Sequence, residues 1–310
     1  GATNPTFTAN AAGNYTVTLS DTANCSFTSA PATVVVNPLP TVTISASGNT
    51  TVCQGSAVNL NAGTGASYAS YQWNLNGAPI AAATSATFAA TSTGSYSLTV
   101  TDANGCSATS NTVSVTIREL PVATITGNSA ICQGGSTILS ANTGTGRTYQ
   151  WKRNNVNIIG ATTANYTAIT AGTYTVTVTS NGCSATSNAI TVTVNSLPTV
   201  SVSATGSTSF CPGGSVVLTA STDPANTLQW RKNGVNITGA TGISYTASDS
   251  GNYTVRVTSP AGCSANSNGI QVTPATNPSA TISASGSLNL CPGGSIELTA
   301  NSGTGLTYQW

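Results

Sequence analysis

One residue pattern recurs four times in this chain. Cys-x-Gly is followed by Ser-x-x-Leu, then by a Trp about twenty residues after the Cys. Gly-x-Tyr-x-Val/Leu-x-Val/Leu comes next, and then a second Cys. Cys53, Cys132, Cys211 and Cys291 open the copies at spacings of 79, 79 and 80 residues, and Trp73, Trp151, Trp230 and Trp310 follow at 78, 79 and 80. A fixed period of this length excludes one large fold and points to an array of small, similar domains. It also bears on function. Chemistry needs unique residues, and here nearly every informative residue is repeated, so a mechanical or adhesive role is expected.

A length of 310 residues at this period gives about four domains, each near the lower size limit for unaided folding. Only 4% of residues are charged and the net charge is +1, which leaves neither a basic stripe for nucleic acid nor an acidic run. No apolar run approaches the ~20 residues of a membrane span. The chain contains no Met, so residue 1 is expected not to be a native start and the sequence to be part of a longer protein. Eight Cys and no His, with no CxxC spacing, argue against zinc and for a disulfide framework in an oxidising compartment.

Strand signals dominate. Residues 42–45, 174–179 and 190–194 alternate apolar and hydroxyl side chains at period two, as expected for sheets with one buried face. Asn104-Gly105, Asn181-Gly182 and Ala261-Gly262 punctuate them as turns. Short Pro-bearing breaks at 37–40, 119–121, 196–198 and 274–278 read as linkers of restricted flexibility. The expected domains are a partial copy at 1–37, whole copies at 38–119, 120–196 and 197–276, and a partial copy at 277–310. The opening Gly1-Ala2-Thr3 matches Gly160-Ala161-Thr162 and Gly239-Ala240-Thr241, so the sequence is a rotated window of four repeats. Neither terminal half can bury a two-sheet core alone. Either the protein continues at both ends, or the halves complete each other across molecules.

In the third copy, residues 214–220 read as strand B with Val216, Leu218 and Ala220 inward, 228–230 as strand C, 243–245 as strand E and 249–257 as strand F. This arrangement resembles the immunoglobulin superfamily. The resemblance implies an all-β tandem array of immunoglobulin-like β-sandwiches of about 79 residues. It makes Tyr15, Tyr96, Tyr174 and Tyr253 like that family's tyrosine corner, and Trp73, Trp151, Trp230 and Trp310 like its core Trp. The family's core disulfide positions hold apolar residues, among them Leu98, Val176 and Val255; the Cys sit instead near the A–B and F–G turns.

The wording Cys-Pro-Gly-Gly-Ser-x-x-Leu-Thr-Ala, Tyr-Gln-Trp and Thr-Asp-Ala-Asn-Gly-Cys-Ser-Ala is similar to immunoglobulin-like repeats of large secreted Bacteroidota proteins, including gliding adhesins and type IX secretion cargo. That resemblance implies a cell-surface or extracellular location and no ligand. It also marks Thr22, in Asp21-Thr22-Ala23, as an O-glycan acceptor, a match that chance explains equally well.

All eight cysteines, Cys25, Cys53, Cys106, Cys132, Cys183, Cys211, Cys263 and Cys291, are expected in structural disulfides. Pairing within a copy would join Cys53 to Cys106, Cys132 to Cys183 and Cys211 to Cys263. The immunoglobulin strand order implied by the resemblance separates those ends by ~26 Å, beyond the ~7 Å a disulfide spans. Pairing between successive copies is expected instead: Cys53 with Cys183 and Cys132 with Cys263, with Cys25, Cys106, Cys211 and Cys291 bonded outside the window or in another chain.

Other residues read as structural. Tyr68 and Tyr71 are the few aromatic candidates for an exposed sugar-stacking platform. Asp21, Asp102, Glu119, Asp223, Asp249 and Glu297 form no recurring pair for acid–base work or calcium, and Asp249 reads as a turn former. Lys152 and Lys232 flank Trp on an outer face. The Cys-Pro-Gly-Gly-Ser loop reads as a tight turn, since no helix or Lys follows it as in a phosphate cradle. No enzyme activity and no cofactor are expected. The favoured role is the rod or stalk of an extracellular bacterial fibre or adhesin. A spacer in a secreted polysaccharide-degrading enzyme and a glycan-binding module are the alternatives. The nearly uncharged surface and the Thr-rich edges with few Lys predict self-association into filaments or bundles, with surface glycans or cell-surface groups as possible contacts.

Overall fold

The computed structural model describes residues 4–63 and 68–310; Gly1-Ala2-Thr3 of the repeat match lies outside them. The described residues form strands and turns without helix. The chain divides into two compact units, one of Gly1–Thr126, Ser140–Tyr166 and Thr173–Ile190, the other of Gly127–Leu139, Thr167–Gly172 and Thr191–Trp310.

The second unit contains a whole sandwich. One sheet orders Val200–Ala204, Val216–Thr222 and Ser244–Ala247, all antiparallel. The other sets Thr227–Lys232 between Val235–Asn236 and Gly251–Thr258, and the last also pairs with Ser264–Asn266 and Ile270–Val272. Period-two sequence produces this directly. Along Gly251–Thr258, Tyr253, Val255 and Val257 are buried while Asn252 and Arg256 face out. The inward residues of both sheets make one core: Val202, Val216, Leu218, Ala220, Trp230, Ala247, Tyr253, Val255, Val257 and Val272.

The first unit repeats the plan. Thr87–Ala90, Val58–Ala62 and Ile44–Ala46 form one sheet. Gly94–Thr101 centres the other, between Ser70–Leu75 and Val113–Arg118, with Ser107–Thr109 along the same edge. Trp73, Leu60, Leu98 and Val100 are fully enclosed in its core. Thr148–Arg153 pairs with Gly172–Ser180 in the same way, and Trp151 and Tyr174 have no exposed surface. These features make the protein a tandem array of immunoglobulin-like β-sandwiches.

The abundance of Thr now has a structural account. Hydroxyls on outward faces bond across strands: Thr99 to Thr109 at 3.1 Å, Thr258 to Ser264 at 2.9 Å, Thr18 to Thr28 at 2.8 Å and Thr179 to Ser184 at 2.7 Å. β-Branched hydroxyl residues thus supply both pleat-compatible shape and cross-strand pairing where most proteins place charges.

Two expectations for core residues are corrected. Trp310 is 71% exposed, and Tyr15 is only half-buried although its hydroxyl donates to the Ala11 carbonyl at 3.0 Å. Residues 4–37 form only two-stranded pieces, Gly13–Tyr15 with Ala32–Val34 and Thr18–Ser20 with Ser26–Thr28. Residues 277–310 form one, Ile282–Ala284 with Leu298–Ala300. Each lacks a facing sheet.

Candidate functional site

The cysteines are the one chemistry-bearing group that recurs in register, and they are built from two kinds of half-site. The first follows the opening strand. Thr51–Cys53 lies parallel to Val113–Arg118, with Cys53 opposite Arg118. Ala130–Cys132 lies parallel to Ile190–Asn195, with Cys132 opposite Asn195. These two cysteines therefore end a short extra strand rather than sit in the A–B turn. A turn follows at once, closed by Ser56 N–H to the Cys53 carbonyl at 3.0 Å. Gly55 in that turn has φ of 89°, a left-handed conformation that explains the Gly of Cys-x-Gly.

The second half-site closes the hairpin after the tyrosine-corner strand. Asn181 and Gly182 both have positive φ, 51° and 81°, and Cys183 pairs with Ser180 across the turn. Cys263 occupies the same place, with its carbonyl accepting from Ser259 N–H at 2.8 Å. Cys183 and Cys263 are almost completely buried.

These half-sites meet across copies. Cys53 is bonded to Cys183 with Cα atoms 5.6 Å apart, and Cys132 to Cys263 with Cα atoms 5.5 Å apart. Each bond spans a Pro-bearing break, residues 119–121 and 196–198. Beside the first, Arg118 donates from Nη1 to the Asn181 carbonyl at 2.6 Å. Closing loops with sequence separations of 130 and 131 restricts the unfolded chain by about 5 kcal/mol each in the chain-entropy picture.

Cys25, Cys106, Cys211 and Cys291 carry free thiols. The turns at these cysteines are nevertheless formed. Asp102 Oδ1 accepts from Cys106 N–H at 2.9 Å, and Asp21 Oδ1 accepts from Cys25 N–H at 2.9 Å. Gly214 N–H donates to the Cys211 carbonyl at 3.0 Å, and Gly294 N–H to the Cys291 carbonyl at 2.9 Å. Thr22 is exposed on the turn that carries Cys25.

The aromatic residues form a second recurring constellation. Trp230, Tyr245 and Tyr253 are stepped at centroid distances of 5.8 and 5.7 Å. Trp73, Phe88 and Tyr96 repeat the ladder at 5.8 and 5.9 Å, and Trp151, Tyr166 and Tyr174 at 5.8 and 5.7 Å. Each indole N–H is satisfied at 2.9 Å by a carbonyl: Ser85 for Trp73, Thr163 for Trp151 and Gly242 for Trp230. The corner phenols donate to the Ser92 carbonyl at 2.9 Å (Tyr96) and the Asp249 carbonyl at 3.1 Å (Tyr253). Burial pushes both phenols above their usual range. These rings are therefore core and not a sugar platform. Tyr68 and Tyr71 also depart from their expected exposure: they are half-buried, packed edge to face at 5.7 Å, and the Tyr68 hydroxyl donates to the Thr41 carbonyl.

Of the charged residues, Lys232 bridges to Asp249 at 3.0 Å, and hydrogen bonding to that carboxylate raises its pKa. Arg231 and Arg256 line a small polar cleft of about 150 Å³. Among the described residues no three of His, Cys, Asp or Glu cluster as metal ligands, and no helix is long and apolar enough to cross a membrane.

One constellation escaped the sequence reading. The Asn111 amide accepts from Ile44 N–H at 2.9 Å and donates to the Ile44 carbonyl at 3.1 Å. Asn188 does this to Ile125, and Asn268 to Val202. Each Asn follows a Ser whose hydroxyl accepts a strand amide: Leu98, Val176 or Val255. A side chain thus pairs with the opening strand as another strand would. The signal was present as Ser110-Asn111, Ser187-Asn188 and Ser267-Asn268 in register.

A family described as Domain of unknown function (DUF8696) matches residues 122–196. No curated protein matches. Among solved structures, a three-Ig titin fragment with an E-to-A change is similar over 74% of this chain and 95% of its own, at 11% identity and TM-score 0.38. The N-terminal eight Ig domains of Down Syndrome Cell Adhesion Molecule match over 95% of this chain and 44% of theirs, at 15% identity and TM-score 0.37. Domains 3–5 of the extracellular part of Drosophila OTK match over 78% and 100%, at 16% identity and TM-score 0.29.

Proposed function

We propose that this chain is a tension-carrying repeat region, the rod or stalk of an extracellular fibre or adhesin. The observation that carries this reading is the pair of disulfides that tie each copy to the next past its linker. A stable disulfide framework belongs to an oxidising, extracellular setting. The repeat wording quoted above supports a bacterial surface protein of the Bacteroidota type. Repetition of the core ladder from copy to copy favours a scaffold over a binding or catalytic module.

Single-molecule extension of the chain from its two ends tests the role. The loops 53–183 and 132–263 overlap, so an oxidised chain pulled to full length follows a short covalent path through both bonds. It should fall short of the reduced chain by about 500 Å at ~3.4 Å per residue. Equal extensions with and without reductant would remove the covalent bypass and the role built on it.

A further inference from the structure

The outer face of the third copy carries two arginines on one diagonal. Arg231 lies opposite Thr254, and Arg256 lies opposite Gln229 on one side and Asn266 on the other. Trp230 and Val255 point into the core, so by alternation both arginines project outward. Diagonal neighbours on paired strands stand roughly 7–8 Å apart, within reach of long side chains. The two arginines, with Ser264, Ala265 and Asn266, line the polar cleft of about 150 Å³.

The same diagonal is built differently in the other copies. In the first it joins Asn74 to Thr99, with Asn74 Nδ2 donating to Thr99 Oγ1 at 3.0 Å. In the second it holds Lys152 and Thr177, and in the third Arg231 and Arg256. A neutral pair in one copy is thus one cation in the next and two in the last. Asn266 stands where Thr109 bonds Thr99 and where Thr186 faces Thr177. The whole chain has only seven cationic side chains, and like charges on neighbouring strands repel.

The protein supplies no counter-charge to this pair. Among the described residues neither arginine is ion-paired, and Asp249 is already bridged to Lys232 at 3.0 Å. Gln229, opposite Arg256, donates instead to the Trp230 and Ile237 carbonyls at 2.9 and 2.7 Å. Arg231 is half-buried and anchored by a bond from Nη2 to the Gly234 carbonyl, and its Nε is shielded from solvent without a partner. Arg256 is exposed. One guanidinium is therefore held in place and the other is free to close on a ligand.

We propose that this cleft binds an anionic group carried on a sugar, a uronate carboxylate or a sulfate ester, with Arg231 and Arg256 gripping the oxyanion and Ser264 and Asn266 bonding neighbouring sugar hydroxyls. Guanidinium N–H groups meet such oxyanions in pairs. A hydroxyl and an amide each donate and accept, as sugar hydroxyls do, and Ser264 Oγ is already positioned by Thr258 Oγ1 at 2.9 Å. Ala265 brings one methyl to the lining, which leaves no apolar pocket for a peptide side chain. The volume falls below the ~300 Å³ of common ligand pockets and suits one charged unit of a longer glycan. Two arginines also fall short of the many phosphate contacts that hold a nucleic acid. One copy of the rod then carries a contact that its neighbours lack, a role beyond bearing tension.

The test uses the whole chain, isotope-labelled for NMR of the arginine Nε–H groups. The probes are an oligogalacturonate, a sulfated carrageenan oligosaccharide and, as neutral control, the methyl-esterified oligogalacturonate. The Arg231 and Arg256 signals should move with a charged probe, and affinity should fall as salt rises. Arg256→Thr and Arg231→Asn should each weaken binding by about tenfold or more, while Lys152→Asn leaves it unchanged. Both variants install the residues of the first copy, Thr99 and Asn74, so the sandwich should fold; the signals of the unaltered chain read the site in either case. The charged probe that binds more tightly identifies the carboxylate or the sulfate as the group recognised. Equal binding of the neutral probe, inorganic sulfate moving the same signals at the same concentration (an adventitious ion only), preference for an oligoglutamate peptide, or unchanged affinity in both variants would overturn the proposal. Such a failure leaves the extension test untouched, since that test reads Cys53–Cys183 and Cys132–Cys263.

Discussion

Tyr253 shows how one residue serves both fold and pH response. Its ring closes the ladder under Trp230, and its hydroxyl ties the turn at Asp249. Tyr253→Phe keeps the ring and deletes the bond, so it should lower that sandwich's stability by about 1 kcal/mol. Chemical denaturation followed by Trp230 emission would measure it. Burial holds the phenols of Tyr96 and Tyr253 above their usual pKa. The unfolded chain therefore releases these protons first, near pH 10, and the folded state binds more protons beyond that point. Stability should be unaffected by these groups below pH ~10 and fall as pH rises further, with a shallower decline in Tyr253→Phe. Melting between neutral and strongly alkaline pH reads the slope. The Lys232–Asp249 pair is exposed to solvent and screened, so it should contribute little to stability.

At the scale of elements, the most consequential contact is one that period-two reading cannot detect. Asn268 satisfies both backbone groups of Val202. Asn268→Ala leaves a partly buried N–H and C=O without those partners and should cost about 1–3 kcal/mol, with hydrogen exchange at Val202 accelerated before the rest of its sheet. Strands, the tyrosine corner and the Trp positions were legible because they follow from alternation and recurrence in the sequence. Three other features were not. The Asn clamp is a side chain acting as a strand, and a propensity argument has no place for it. The short strand ending at Cys53 runs parallel to Val113–Arg118, a long-range pairing with no local signature. Tyr68 is held by the distant Thr41 carbonyl, so its polarity did not imply exposure. Trp151→Ala removes a fully enclosed indole and its bond to Thr163. It should cost roughly 3–5 kcal/mol and unfold its own copy. Emission from Trp73 and Trp230 should still report folded surroundings, since stability in arrays is largely local.

In the whole molecule, the disulfides distribute that local stability unevenly. Residues 132–183 lie inside both closed loops, whereas Trp73 lies only within 53–183 and Trp230 only within 132–263. The copy around Trp151 is thus constrained through Cys132 and through Cys183, while each neighbour is tied once. If these bonds act mainly by restricting the unfolded chain, reduction should weaken the doubly tied copy most. Variants retaining a single Trp, with the other three replaced by Phe, isolate each copy's melting. On reduction the Trp151 signal should lose about 2–4 kcal/mol per bond, which for a domain this small is a fall of roughly 10 °C or more. The Trp73 and Trp230 signals should fall by less. A matching loss from Cys183→Ser plus Cys132→Ser would assign the effect to these two bonds. Equal shifts at all three reporters would show instead that the staples fix geometry between copies without adding to the stability of any one.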